Sequence, residues 1–173
     1  LWNKPPGMPC HTSCGHAVDT LENVWTAHFQ RRGIEIPPLR AVGRLDSDTS
    51  GCVLTAKNRF AASRLKEHYE REYCALIGGV LKGSGRIDAP IWRPDPVEML
   101  RVVDPRGQQA VTEYRALSSS GGLTFVYFRL LTGRTHQIRV HMAHIGHPIA
   151  GDALYGGVQG VIPRQALHCR RTW

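Results

Sequence analysis

The chain reads as α+β, or mixed α/β, in one domain, and three observations carry that reading. Apolar residues recur at helical spacing in three separate segments. From Tyr73 onward the character changes to short β-rich runs divided by Gly-, Pro- and Ser-rich turns. Neither an internal repeat nor a low-complexity segment interrupts the pattern.

The elements follow in order. Leu1 to Lys4 has the look of a strand end, stopped by Pro5-Pro6-Gly7. The spacing of Leu21, Val24, Trp25 and Phe29 predicts a helix from about Asp19 to Arg32, with Asp19 as cap, Glu22 three residues on and Gly33 as stop. Pro37-Pro38 forces an extended connection, and Leu39 to Val42 and Cys52 to Ala56 predict two strands around the polar loop Gly43–Gly51. Asn58 caps a second predicted helix running through Tyr69, with Phe60, Ala61, Leu65 and Tyr69 as its inner stripe. Strands are expected at Tyr73 to Val80, Leu100 to Val103, Ala110 to Leu117 and Leu123 to Leu131. A third helix is expected from Thr135 to Ile145, with Ile138, Met142 and Ile145 inward and Gly146 and Pro148 closing it.

Composition narrows the function classes. The 173 residues are 42% hydrophobic and 21% charged, with 18 Gly and 11 Pro, which excludes a disordered chain, a collagen and a coiled coil. No apolar run approaches the ~20 residues of a membrane helix. Net charge is +8, and 18 of the 22 basic residues are arginine, whose planar fork suits phosphate and base edges. Nucleic acid is therefore the favoured partner, ahead of a membrane surface. Five cysteines without regular spacing fit reduced thiols in the cytoplasm.

Three places concentrate chemistry. The loop Gly43–Gly51 carries Asp46 and Asp48 between two strands, where a scaffold can present a carboxylate rigidly. Its bland reading is a set of turn and cap hydrogen bonds, and a paired-carboxylate glycosidase site is a third. The run Gly133-Arg134-Thr135-His136-Gln137-Ile138-Arg139-Val140-His141 leads a glycine turn into a helix start, a seat for phosphate or an RNA backbone. Its alternative is a solvated basic helix face, with Arg139 about a third of a turn off the core stripe. Arg71-Glu72-Tyr73 opens the first long β run, and Tyr73 reads either as a packing residue or as a ring that stacks on a nucleobase. His136, His141, His144 and His147, and separately Cys10-His11-Thr12-Ser13-Cys14-Gly15-His16, invite a metal reading but lack the further ligands a site requires.

Together these segments resemble one family. Arg44-Leu45-Asp46-Ser47-Asp48-Thr49-Ser50-Gly51 is similar to the Arg-Leu-Asp-x-Asp-Thr-Ser-Gly signature of the RluA-type pseudouridine synthases. Gly133 to His141, continuing through His147-Pro148, Gly151-Asp152 and Leu154-Tyr155-Gly156, resembles that family's second long signature. Asn3-Lys4-Pro5-Pro6-Gly7, Arg71-Glu72-Tyr73 and Ala166-Leu167-His168 match shorter motifs in family order, so the likeness covers nearly the whole chain. Departures are Gly43, where His or Asn is common, Ser47, where a basic residue is frequent, and Arg71 in place of Lys.

The resemblance implies an RNA pseudouridine synthase, which turns uridine in structured ribosomal or transfer RNA into its C-glycoside without cofactor or metal. It implies the pseudouridine synthase fold, a central, largely antiparallel mixed sheet with flanking helices and a catalytic cleft. By the same carry-over Asp46 is the essential carboxylate, Tyr73 stacks under the base, and Arg139 pairs with the catalytic Asp. Arg44 enters the RNA stack as the base flips out, and Arg134, Thr135 and His136 hold the RNA backbone. Residues 1–173 are expected to be a single catalytic domain lacking its natural N-terminus and a short C-terminal part, monomeric and cytoplasmic. The competing readings are a non-catalytic RNA-binding or RNA-chaperone module of the same fold, and a metal-dependent hydrolase built on the histidines.

Overall fold

The computed structural model describes residues 1–13, 15–38 and 40–173. Cys14 of the cysteine–histidine segment and Leu39, the expected start of a strand, lie outside the described residues. The chain forms two compact units, residues 1–69 with 169–173, and residues 70–168.

In the first unit β1 (Trp2–Lys4) pairs antiparallel with β3 (Ser50–Val53), Trp2 opposite Val53 and Lys4 opposite Gly51. A second ladder joins β2 (Arg40–Ala41) to β4 (Thr55–Ala56), so the single strand expected over residues 52–56 is two short ones. Gly51 sits at φ +117°, and a Cβ there would run into the carbonyl of Cys169, in the last strand β11 (Leu167–Thr172). Only glycine accepts both that backbone angle and that approach. Helix α1 (Leu21–Arg31) buries Leu21 and Trp25 and sets Trp25 against Trp2, ring centroids 6.3 Å apart. Its cap falls one residue later than expected. Thr20 accepts from the Asn23 amide and Asn23 answers to the Thr20 amide, whereas Asp19 is drawn off to His16 at 2.7 Å.

Helix α2 (Arg59–Glu67) is capped by Asn58 as expected, but it buries none of its side chains. Of the stripe expected to face inward, Phe60 is 77% exposed and Leu65 40%, while Ala61 and Tyr69 are half-buried, Tyr69 beside Gly43. Periodicity shows that a helix has an apolar side, not that a neighbour covers it.

The second unit is built on four antiparallel strands in the order β5 (Arg71–Gly78), β10 (Leu123–Leu130), β9 (Val111–Ser120), β6 (Ser84–Asp88). Strand alternation puts Tyr73, Ala75 and Ile77 of β5 and Val126 and Phe128 of β10 in the core. Two short strands, β7 (Ile91–Trp92) and β8 (Val102–Val103), form a hairpin, and Ile91 packs with Ala110 and Val140. β6, β7 and β11 were not anticipated; each is short or lacks a clean apolar alternation. The α+β class with a largely antiparallel sheet is as expected. Among the described residues no helix is long and apolar enough to cross a membrane.

Helix α3 (Gln137–His144) forms where expected with Ile138 and Met142 inward, but its polar residues Gln137, Arg139 and His141 are inside as well. Every residue from Gln137 to Met142 is buried, so Arg139 and His141 form no solvated basic face, although His144 in the last turn is exposed. The buried polar side chains are satisfied internally instead. Gln137 Nε2 donates to the Val111 carbonyl and to Thr112 Oγ1, each at 3.0 Å. His141 Nε2 lies 2.9 Å from the Ala89 carbonyl and Nδ1 2.8 Å from Thr112 Oγ1. A carbonyl can only accept, so Nε2 carries the proton and Nδ1 accepts from the threonine hydroxyl.

Burial pushes the His141 pKa below the ordinary value, and His168 shifts the same way through burial and Arg164. In the unfolded chain both rings bind a proton near the usual 6.5, while the folded protein resists it. Stability is therefore expected to hold above about pH 7 and to fall as pH drops below about 6.5. Urea midpoints across pH 5–8 check this. His141→Asn should flatten the slope, leaving the part that belongs to His168; an unchanged slope would mean that His141 titrates alike in both states.

Candidate active site

Asp46 stands in the first unit, on the loop between β2 and β3, and two buried side chains hold that loop. Lys4 is 0% exposed, and its Nζ donates to the carbonyls of Pro5 at 2.9 Å, Met8 at 2.7 Å and Ser47 at 2.6 Å. The last bond ties the residue after Asp46 to the first strand. Cys10 grips the residue before it, its Sγ 3.5 Å from the Leu45 carbonyl and 3.4 Å from the Leu45 amide. Burial pushes the Cys10 thiol pKa up, which keeps the S–H donor this pairing needs. The Thr49 amide closes a turn onto the Asp46 carbonyl at 3.1 Å. Leu45 is buried while Arg44 is exposed and Asp46 half-buried, so the loop offers a guanidinium and a carboxylate from a backbone anchored on both sides.

Tyr73 and Arg139 stand in the second unit. Tyr73 is 4% exposed on the core side of β5, with the Arg71 guanidinium 5.9 Å from its ring centroid. Arg71 also packs over Gly133, where a Cβ would come within 2.6 Å of its Nη2. One arginine thus links the β5 tyrosine to the turn that opens α3. Arg134 and Thr135 on that turn are exposed, and Arg134 Nε donates to the Gln109 carbonyl at 2.9 Å.

His136 is buried rather than displayed. It adopts the left-handed conformation, φ +57°, unusual for a residue with a side chain, and its Nδ1 lies 2.8 Å from the Tyr155 hydroxyl. Arg139, 7% exposed, makes a fork-to-fork pair with Asp152, 1% exposed: Nε to Oδ2 at 2.7 Å and Nη2 to Oδ1 at 2.9 Å. The Tyr155 ring lies under the same guanidinium, 5.0 Å from centroid to Cζ. Its hydroxyl accepts from the Arg101 amide at 3.0 Å, and burial raises its pKa to about 12, so the phenol keeps its proton.

Residue-type reasoning missed Asp152 and Tyr155 as supports of Arg139, and Lys4 and Cys10 as supports of Asp46. The motif Gly151-Asp152-Ala153-Leu154-Tyr155-Gly156 was the available signal; the spacing around Cys10 pointed to a metal rather than to Leu45. Of the histidines singled out for a metal, His136 bonds to Tyr155, His141 to Thr112 and Ala89, and His147 Nδ1 lies 2.8 Å from the Gly78 carbonyl.

A protein family described as RNA pseudouridylate synthase matches residues 1–144. The chain belongs to the RNA pseudouridylate synthase family. Among curated members, the uncharacterized RNA pseudouridine synthase YhcT of Bacillus subtilis is 42% identical over 178 residues, covering 98% of this chain and 59% of that protein. The ribosomal large subunit pseudouridine synthase D of Haemophilus influenzae is 40% identical over 160 residues, covering 90% of this chain and 49% of that protein. The chain thus spans only about half to three fifths of the length of the curated synthases it matches. Among solved structures, human RNA pseudouridylate synthase domain containing 4 superposes with a TM-score of 0.74 at 25% identity, over 98% of this chain and 78% of that one. The expected pseudouridine synthase fold is borne out, and with it the resemblance to the RluA-type synthases.

Two measurements check the supports. Asp152→Asn removes the carboxylate but leaves the buried guanidinium, and should cost about 3–5 kcal/mol in urea unfolding. A loss below about 1 kcal/mol would mean the pair does not hold Arg139. Lys4→Met leaves three carbonyls without their donor and should cost about 2–4 kcal/mol, with faster amide exchange at residues 44–49. Unchanged exchange there would detach the loop from Lys4.

Proposed function

We propose that this chain carries the isomerisation of uridine to pseudouridine in structured RNA. The bond from N1 to C1′ breaks, the base turns, C5 bonds to C1′, the C5 proton leaves and N1 takes up a proton from water, so no electrons or groups are exchanged with a second reactant. Chemistry so balanced asks of the protein a positioned carboxylate, a surface for the detached base and a grip on the RNA.

The observation that carries the reading is the anchored loop of Asp46, locked through Lys4 on one side and Cys10 on the other. A carboxylate held this way loses little freedom when substrate arrives. Asp46 supplies the group on which bond breaking depends, and Tyr73 stacks on the base. Arg139, held in one orientation by Asp152, is the arginine that the family likeness assigns to the reaction. Arg44 fills the gap in the RNA stack when the uridine flips out, and Arg134 and Thr135 act at the backbone, while buried His136 fixes the start of α3 through Tyr155. The names of the ribosomal large subunit relatives support large-subunit ribosomal RNA as substrate ahead of transfer RNA. The cytoplasm is the proposed setting, with the protein acting as a monomer.

Release of tritium from RNA labelled at uridine C5 tests this, with wild type beside Asp46→Asn. The variant keeps the side chain's size and loses its charge, so release should fall by about 10³-fold or more while RNA binding stays within a few-fold. Release that survives the substitution removes Asp46 from the chemistry. Binding without release by the wild type points to an RNA-binding module.

A further inference from the structure

The first unit has a concave surface between β2 and α2, and Asp46 is not among its lining residues. It encloses about 530 Å³ and is lined by Arg40, Val42, Arg59, Ala62, Ser63 and Lys66. That volume lies within the ~300–1,000 Å³ of ordinary ligand clefts.

Its lining is cationic. Arg40, Arg59 and Lys66 are exposed, no acidic residue lines the groove, and among the described residues none of the three forms an ion pair. Four exposed arginines elsewhere do: Arg64 with Glu67, Arg86 with Asp88, Arg106 with Asp104 and Arg129 with Glu70. Three like charges around one hollow repel one another and draw in an anion.

The helix is turned to make this so. Arg59, Ala62, Ser63 and Lys66 fall at i, i+3, i+4 and i+7, one face of α2, and that face lines the groove. The apolar residues Phe60 and Leu65 are left to solvent. A helix placed for packing alone would bury the opposite stripe.

We infer that the groove between β2 and α2 is an RNA-backbone site whose Arg40, Arg59 and Lys66 seat phosphates of the strand leading to the Asp46 loop. The inference rests on the reading of RNA as substrate. Val42, in the groove wall, is followed directly by Gly43 and Arg44, so a strand lying in the groove is delivered to the guanidinium assigned to the flipped-base gap. A phosphodiester chain can enter a hollow of this kind, whereas a membrane surface meets only the convex exposed face of a helix. The contacts are to phosphate, so they position the RNA and carry no sequence preference.

The test uses Arg40→Gln/Arg59→Gln/Lys66→Gln, all exposed changes, with circular dichroism to confirm folding. Its control, Arg86→Gln/Arg106→Gln/Arg129→Gln, removes the same formal charge from carboxylate-paired positions. Affinity for a large-subunit ribosomal RNA fragment is measured between about 50 and 200 mM salt. The groove variant should lower the slope of log K against log salt by about 2, and the control by less than about 1. KM for tritium release should rise on the order of tenfold with kcat unchanged, as for lost uniform binding.

An unchanged slope, or equal effects in both variants, overturns the proposal. So does a groove variant that keeps its RNA affinity but loses binding to phosphatidylserine vesicles, which would make the surface a lipid site. If wild type releases tritium and the groove variant matches it throughout, the groove proposal fails alone. If the slope depends on the groove and wild type releases none, the isomerase reading fails and the groove stands. Absence of RNA binding by the wild type overturns both.

Discussion

The enclosed amino group of Lys4 is the constraint on which the first unit depends. Placing it inside costs the solvation of a strongly hydrated group, and that cost is met only if every donor finds an acceptor. Three carbonyls converge on it, from Pro5, Met8 and Ser47. They come from the opening turn and from the loop of Asp46, so satisfying one side chain fixes two segments more than forty residues apart in sequence. The Cys10 thiol does the same on a smaller scale by meeting both polar groups of Leu45. Asp46 then has anchored backbone on either side, and its carboxylate inherits that order.

The second unit solves a related problem around α3. A helix with His136, Gln137, Arg139 and His141 at its start would ordinarily face water. Here these groups are inside, and each has a partner of matched chemistry. Asp152 answers Arg139, Tyr155 answers His136, and Thr112 stands between Gln137 and His141. Such a network gives little net stability over an apolar core, but it tolerates few alternative arrangements. The return is orientation: a guanidinium seated on an aromatic ring and forked by a carboxylate has little freedom to wander.

Placement of the family's motif residues follows from these two networks. Asp46 and Arg44 belong to one unit, and Tyr73, Arg134, Thr135, His136 and Arg139 to the other. Exposed groups and buried ones divide the work. Arg44, Arg134 and Thr135 reach solvent, where an RNA can meet them, while Tyr73, His136 and Arg139 are enclosed and owe their positions to packing. The cationic groove by α2 belongs with the exposed set, since phosphate recognition works from the surface inward.

The α+β class, the three helices, the long strands from Tyr73 and the positions of Asp46, Tyr73 and Arg139 were all legible in the sequence, because periodicity and ordered motifs are properties of the chain itself. Short strands such as β7 were not, since two residues form a strand only when a distant partner completes the ladder. Nor was the capping shift from Asp19 to Thr20, decided when His16 took the carboxylate. The orientation of α2 is the clearest case. Its amphipathic spacing is readable from residues 59–67, yet which face lies beside a neighbour depends on where β2 runs, and there the cationic face lines the groove. Arg139 was placed on α3 by sequence, but its burial and its Asp152 partner came from the fold. A side chain's environment is set by residues far along the chain, and burial decides whether a charge is solvated or must be paired.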